Sequence, residues 1–540
     1  MQNWIINLDK DPDKEFLING LKNGFTLIDA NAEDIAPVTS CNHKSALILK
    51  DKVEARLLEE IEDGNYVKTD PNKVRLISPL AAIEKSDGDV RLIHDLSYPA
   101  GYSLNDYATK EVCQYETLNE TIKTLKPGMW MAKCDLKWAY RSVRLRPDQH
   151  ALTGLQWTFK GDREPTTLVD TAFCFGARKS PAHFNRITKA VKRMMVRRGF
   201  SCSVYLDDFL VSANTFAECT RALKTLVELL RSLGFRINWK KMIDPCQNLV
   251  FLGIQIDTVC NTLSLDQTKA EQIASNVSIQ KTKRRLSKKQ LEKLVGQLSW
   301  ACNVITWGRA YLASFYQFIR HLKAANHKLR VTPAMLSDLT WWQACLNAPI
   351  HRRAIWPSQR QALLISTDAC PVAGGAFLHN KGAWIYTNFA IDKPTLANTH
   401  INVKELAMIG EAINTWGPLF PGHHIKVQSD NMTSVCCLNK GSARDYHAAR
   451  IMKDIASTAH TYDISVEGLF IPGAVNDIPD SISRLHSPGQ FMRLSTLLSP
   501  LHDGGHPTYC LLDHMSALSY IFLLPQVERL LRWWKSWMKK

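Results

Sequence analysis

The chain has 540 residues, 45% of them hydrophobic, and 67 Lys+Arg against 51 Asp+Glu give a formal net charge of +16. The apolar share excludes a disordered chain, the length suggests about three or four domains, and the charge points to a polyanionic partner, most commonly nucleic acid. The 14 cysteines form no C-x-x-C pair and no zinc-finger spacing, so they read as reduced thiols of an intracellular protein, cytoplasmic and/or nuclear.

Residues 1–43 are mixed and polar and read as a lead-in of helix and loop. Met1-Gln2-Asn3-Trp4 has no basic-then-apolar leader, and no apolar stretch approaches the ~20 residues of a membrane span, so no membrane partner is expected. From 44 to 262, strand-like runs alternate with helical ones. Ile77-Ser78-Pro79-Leu80-Ala81-Ala82-Ile83 and Val90-Arg91-Leu92-Ile93-His94 predict two strands, joined by the turn residues Lys85-Ser86-Asp87-Gly88-Asp89. Trp130-Met131-Ala132-Lys133-Cys134 predicts a strand ending at Asp135. Residues 180–198 predict a helix with Lys179, Arg186, Lys189, Lys192 and Arg193 as its charged residues; 203–211 predict strand–turn–strand; 217–233 predict an amphipathic helix stopped by Gly234.

From 263 to 330 the pattern is helical and basic. Residues 231–330 hold 17 Lys+Arg against 5 Asp+Glu, so most of the net charge sits on under a fifth of the chain. A short connection of irregular helix covers 331–361, and strand–helix alternation returns over 362–486. The extension 487–540 holds an apolar run, 511–524, and a basic helix, 527–540, carrying Trp533, Trp534 and Trp537. That helix is expected to pack against the body of the protein.

In Val204-Tyr205-Leu206-Asp207-Asp208-Phe209-Leu210-Val211 two adjacent acids sit between apolar runs, which places both carboxylates at a hairpin tip. Carboxylates forced together repel unless a cation lies between them, and Mg²⁺ prefers oxygen ligands and shares its shell with phosphates. Asp135, at the end of its own strand, is the third acid needed to bridge two ions.

This segment resembles the Tyr-x-Asp-Asp box of reverse transcriptases, and further boxes follow in order. Lys85 and Arg91 lie on the hairpin where that family holds the incoming triphosphate. Asp135-Leu136-Lys137-Trp138-Ala139-Tyr140-Arg141 resembles the first aspartate box, which makes Tyr140 the steric gate against a 2′-hydroxyl. Asp170-Thr171-Ala172-Phe173-Cys174-Phe175-Gly176 resembles the next, with Phe175-Gly176 kept and Phe173-Cys174 in place of Leu-Pro. The resemblance puts Phe175 and Gly176 at the nucleotide, and the missing proline implies a looser turn there. Leu233-Gly234-Phe235-Arg236-Ile237-Asn238-Trp239-Lys240-Lys241 resembles the fourth box, whose lysine is proposed to protonate pyrophosphate; Lys241 fits that position best and Lys240 nearly as well. Phe251-Leu252-Gly253-Ile254 resembles the primer-grip hairpin. Ser287-Lys288-Lys289-Gln290-Leu291-Glu292-Lys293-Leu294-Val295-Gly296-Gln297-Leu298-Ser299-Trp300 looks like the thumb helix, with Lys283, Arg284, Arg285, Lys288, Lys289, Gly296 and Trp300 as nucleic-acid contacts.

A second acidic set lies downstream. Leu363-Leu364-Ile365-Ser366-Thr367-Asp368, Asn402-Val403-Lys404-Glu405, Val427-Gln428-Ser429-Asp430 and Asn476-Asp477-Ile478-Pro479-Asp480-Ser481-Ile482-Ser483-Arg484 are similar in order and spacing to ribonuclease H. The resemblance makes Asp368, Glu405, Asp430 and Asp480 the metal ligands there. Phe470-Ile471-Pro472-Gly473 lacks the histidine usual before that Pro-Gly, which implies slower hydrolysis.

The resemblance covers roughly residues 44–486, and the boxes, with Trp307-Gly308-Arg309-Ala310-Tyr311-Leu312, look closest to DIRS-type retrotransposons, gypsy-type next. It implies an α+β right-hand polymerase (fingers and palm 44–262, thumb 263–330) followed by an α/β ribonuclease H-like domain (362–486). The expected enzyme copies an RNA template, then DNA, from a DNA primer and dNTPs and cuts the RNA of an RNA–DNA hybrid. It would use two Mg²⁺ (or Mn²⁺) ions at each site. The alternatives are a reverse transcriptase with an inactive ribonuclease H domain and a domesticated nucleic-acid-binding protein. The oligomeric state is not legible.

Overall fold

The computed structural model describes residues 1–85, 88–347 and 352–498. The chain separates into two compact units, Met1–Thr262 and the residues from Leu263 onward.

In the first unit the strand Trp130–Lys137 lies at the centre of an antiparallel sheet. Arg236–Ile237 flanks it on one side, Asp208–Ala213 and then Ser201–Tyr205 on the other, and Ile243–Cys246 also pairs with it. The strand runs two residues past Asp135, so this acid lies inside the ladder rather than at its end. Two helices pack on the sheet, Ser180–Arg197 and Phe216–Ser232. The first opens with proline in its first turn, where a missing N–H is harmless, and the second is capped by Thr215, whose side chain accepts from the Glu218 N–H. Ile187, Val191, Met194 and Met195 of one and Leu226 and Leu230 of the other meet Val204, Phe209 and Val211 of the sheet in one core. Each such side chain stabilises the fold by roughly 1.5–3 kcal/mol through burial.

Residues 1–43 feed the same core with Trp4, Leu8, Leu17, Phe25, Leu27 and Ile28. The cations of helix Ser180–Arg197 are engaged inside the unit: Arg193 with Asp11, Arg186 with Asp13, Lys192 with Glu116, and neighbouring Lys179 with Asp29.

The strand expected over 77–83 is broken. Leu76–Ile77 belongs to a five-stranded sheet, whereas Leu80–Glu84 pairs with Val90–His94 in a separate hairpin. Pro79 lacks the N–H a continuous ladder requires, and the Ser78 N–H turns to the Gly154 carbonyl at 2.8 Å. Asn248–Phe251 and Ile254–Asp257 form the tight hairpin expected around Leu252-Gly253, both of which take positive φ.

The second unit opens with the helices Gln267–Lys281, Lys288–Ala301, Ala313–Arg320 and Pro333–Leu346. Ser287 and Gln290 form a reciprocal capping box that fixes the start of the second of these. A five-stranded sheet follows in the order Ala383–Asn388, Ala373–Leu378, Ala362–Ala369, His424–Ser429, Ser465–Phe470; the first three strands are antiparallel and the last two join parallel. Adjacent residues of a strand face opposite sides. A Cβ on Gly374 would meet Met408 of helix Ile401–Trp416, and one on Gly375 would meet Pro479 and Ile482 of helix Asp477–Ser483, so the two helices cover opposite faces. Gln490–Leu498 packs Leu494 and Leu498 against Ile482, Leu485 and Trp384. The apolar run 511–524 and the helix expected over 527–540 lie outside the described residues. No helix among the described residues is long and apolar enough to cross a membrane.

Candidate active sites

The first site is built by strand pairing. Asp208 stands opposite Asp135 across the antiparallel ladder and opposite Tyr205 across the hairpin, which leaves Leu206 and Asp207 as the turn. Leu206 takes φ +53°, a conformation a branched residue adopts only under constraint, and the Asp207 carbonyl accepts from the Leu136 N–H at 3.2 Å. The three acids therefore sit on two hydrogen-bonded strands and the turn beside them.

Their charges are partly answered by the chain itself. Asp135 is 3% exposed; its Oδ1 accepts from Asn238 Nδ2 at 2.9 Å and its Oδ2 lies 3.3 Å from Lys241 Nζ. Burial pushes its carboxyl above the usual range against the pull of those two partners. Asp207 is raised as well, first by burial and then by the charges of Asp208 and Asp135. Lys133 Nζ lies 2.9 Å from Asp208 Oδ1, a charge contact off the hydrogen-bonding direction. Three half-buried to buried carboxylates, two of them held back from ionising, form a donor set suited to hard divalent cations. Lys133 and Asn238 did not emerge from the sequence. The signal for Lys133 was its position two residues before Asp135, on the same face of the strand.

The nucleotide-site candidates divide. Tyr140, Phe175 and Arg91 come together: the Tyr140 and Phe175 rings are 5.1 Å apart, and the Arg91 guanidinium lies 5.4 Å from the Phe175 ring. Phe184 supports Tyr140 edge-on at 5.3 Å. Gly176 has φ +125°, and a Cβ there would fall 1.9 Å from the His94 carbonyl oxygen, so the backbone contact that demands glycine is with the neighbouring hairpin. Lys85 is paired with Asp89 beside the hairpin turn.

Along helix Lys288–Ala301, Leu291, Leu294, Val295 and Leu298 are buried. Lys289 and Gly296 are exposed on the other face, with open space before Gly296, and Trp300 is half-buried under Lys269 at 5.1 Å. Glu292 is answered by Lys288 at 3.9 Å. Arg284 and Arg285 are exposed, and Lys283 donates to Gln280 at 3.1 Å.

In the second acidic set Asp368, Glu405 and Asp430 each offer an oxygen within 4.8 Å of the others. Asp368 lies on the central strand, Glu405 in the second turn of helix Ile401–Trp416, and Asp430 just past strand His424–Ser429. Burial and the two neighbouring acids push Glu405 up to about 9, and burial chiefly pushes Asp368 up to about 6. Glu405 Oε2 is buried without a hydrogen-bond partner, which fits a cation-binding oxygen. Asp480 is outside this group. Its oxygens accept from Arg484 at 2.7 Å and Arg493 at 3.1 Å, and its charge helps raise Asp368. Ser483 donates to Asp368 Oδ2 at 2.6 Å, a contact the sequence reading missed although Ser483 lies within the string that carried Asp480.

The first site lies within a stretch that matches a known family. The family described as Reverse transcriptase (RNA-dependent DNA polymerase) matches residues 68–256. The Gag-Pol polyprotein of avian reticuloendotheliosis virus is 28% identical over 265 residues, 46% of this chain and 20% of that protein. The retrovirus-related Pol polyprotein from transposon opus of Drosophila melanogaster is 20% identical over 524 residues, 92% of this chain and 48% of that protein. The chain spans less than half the length of these relatives. Among solved structures, the foamy viral protease-reverse transcriptase in complex with dsDNA aligns at 18% identity and a TM-score of 0.50, over 87% of this chain and 97% of that one. The dRH form in complex with dsDNA gives the same identity and TM-score over 87% and 81%.

The fold is that of a reverse transcriptase polymerase. The chain carries a reverse transcriptase domain of the retroviral and retrotransposon Pol type.

Proposed function

We propose that the protein is the RNA-directed and DNA-directed DNA polymerase of a DIRS-type retrotransposon, and that its second unit cuts the RNA of RNA–DNA hybrids. The observation that carries the reading is the pairing of Asp135 with Asp208, with Asp207 in the adjoining turn, inside a reverse transcriptase domain. The DIRS assignment rests on the first aspartate box and on the Trp307-Gly308-Arg309-Ala310-Tyr311-Leu312 string. An RNA template, a DNA primer, RNA–DNA hybrid and dNTPs are the partners this reading requires. The basic segment 263–330 supports them, as do the dsDNA complexes of the foamy viral enzyme. All thirteen cysteines among the described residues are free thiols, which supports work inside the cell, in cytoplasm and/or nucleus.

Asp135, Asp207 and Asp208 would hold two Mg²⁺ (or Mn²⁺) ions, and Asp368, Glu405, Asp430 and Asp480 another two. When bound, such ions activate the attacking oxygen and stabilise the leaving group. The remaining work falls to side chains. Arg91 would pair with the triphosphate through its planar guanidinium. Tyr140 would close the space beneath the sugar, so that a 2′-hydroxyl meets the ring. Lys241 Nζ, beside Asp135 and open to solvent, would supply a proton to departing pyrophosphate. Lys85, Phe175 and Gly176 would complete the nucleotide site, and Lys283 to Lys289, Gly296 and Trp300 would track the duplex backbone.

Primer extension on an RNA template with Mg²⁺ tests the polymerase. Wild type should extend, and Asp207→Asn should lose activity by on the order of a thousandfold or more; equal extension by both refutes the assignment. A second reading, a polymerase with an inactive hydrolytic site, is favoured by the two arginines on Asp480 and by Phe470-Ile471 where a histidine is usual. A labelled RNA–DNA hybrid cut by wild type and not by Asp430→Asn excludes it; a hybrid cut by neither establishes it.

A further inference from the structure

Beneath the Tyr140–Phe175 contact lies a buried charge cluster that the mechanism above does not use. Arg141 follows Tyr140, and its side chain is only 10% exposed. Its Nε lies 3.0 Å from Glu60 Oε2, its Nη1 pairs with Asp170 Oδ1 and reaches the Phe173 carbonyl at 3.4 Å, and its guanidinium lies 4.9 Å from the ring of buried Tyr66. Asp170 is fully buried, and beyond it stand His94, with Nδ1 3.5 Å from Asp170 Oδ2, and Cys174. Burial, then the Asp170 charge, keeps the Cys174 thiol protonated. His94, Asp170 and Cys174 offer atoms within 4.8 Å of one another, but Asp170 is already neutralised by Arg141, so the group reads as part of an ion-pair network.

The position of this network gives it a use. Arg141 is one residue from Tyr140, and Cys174 is one residue from Phe175. Its ion pairs and hydrogen bonds tie the turn Tyr140–Ser142 to the strand Thr166–Asp170 and to the backbone at Phe173. Where the family has a proline that stiffens this turn, the chain has Cys174, and the turn is held by charge. A guanidinium fixes direction as well as charge because its donors form a planar fork, and a low-dielectric surrounding strengthens each bond.

We infer that Arg141 and Asp170 form a positioning clamp that sets the spacing of Tyr140 and Phe175 and thereby the enzyme's discrimination between deoxyribonucleotides and ribonucleotides. The inference rests on the polymerase reading.

The test is single-nucleotide incorporation by the full chain on a primed RNA template, with a dNTP or the matching rNTP. The variants are Arg141→Lys, which keeps the charge and loses the fork, and Arg141→Met/Asp170→Asn, which removes both charges so that neither is left buried alone. The ratio of kcat/KM for dNTP to that for rNTP should fall about tenfold or more in both, with a raised KM for dNTP and unchanged primer–template affinity. A uniform fall in both activities at a constant ratio marks a merely structural role and overturns the clamp. If the wild type incorporates neither nucleotide, the polymerase reading fails, and the clamp with it.

Discussion

Replacing Glu405 by glutamine should stabilise the metal-free second unit at alkaline pH and weaken its response to divalent metal. Glu405 is 4% exposed, and its carboxyl is pushed from 4.5 up to about 9 by burial and by Asp368 and Asp430. The folded protein therefore keeps this proton up to about pH 9, whereas the unfolded chain releases it above about pH 4.5. Between these values the native state binds more protons than the unfolded state, so stability falls as pH rises. At ~1.36 kcal/mol per pH unit, the penalty accumulated by pH 8 is on the order of 4–5 kcal/mol. Asp368, raised from 3.8 to about 6, adds a smaller loss of the same sign over the lower window. Glutamine has no proton to lose, so the variant-minus-wild-type difference should climb steadily between pH 5 and pH 8. Amide hydrogen exchange of strand Ala362–Ala369 in EDTA reads the local opening of this unit, and comparing the proteins at equal pH cancels intrinsic exchange. Added Mg²⁺ should then protect wild type more than the variant. Parallel stability curves for the two proteins, or equal protection by Mg²⁺, would refute the reasoning.

Two further outcomes follow from close contacts. Gly176→Ala places a methyl 1.9 Å from the His94 carbonyl at φ +125° and should lower stability by roughly 2–4 kcal/mol; an unchanged Tm would mean the hairpin does not bear on the turn as described. Arg493→Ala removes one of two arginines from Asp480 and should tighten Mn²⁺ binding up to about fivefold, since an exposed pair of this kind is worth up to ~1 kcal/mol. A titration showing the same affinity in both proteins would separate Arg493 from the acidic site.

What was legible in the sequence was what neighbours along the chain determine. Two apolar runs around Asp207-Asp208 can form only a short hairpin, and the helix after Ser180-Pro181 starts where proline is tolerated; both stand where the pattern put them. Asp368, Glu405 and Asp430 were readable through their order and spacing along the chain, which resemble ribonuclease H, and the fold brings the three together. Pro79 was the local signal passed over, since it divides what read as one strand. The features that escaped depend on partners remote in sequence. Nothing near Arg193 announces Asp11, and nothing near Asp480 announces Arg493.

Arg141 is the sharpest case. Arginine is ordinarily a surface residue, and inside a basic chain it reads as one more contact for a polyanion. It is buried because Glu60, Asp170 and the Tyr66 ring close around it from other strands and helices. The missing proline at Cys174 pointed toward a loose turn, yet the Phe173 carbonyl is bonded to Arg141, the Phe173 ring is fully buried, and Gly176 is pressed against His94. A string that departs from its relatives reports a changed local stiffness only when nothing distant replaces it. Here a buried charge pair does, with Arg141 next in sequence to Tyr140 and bonded to the Phe173 carbonyl two residues before Phe175.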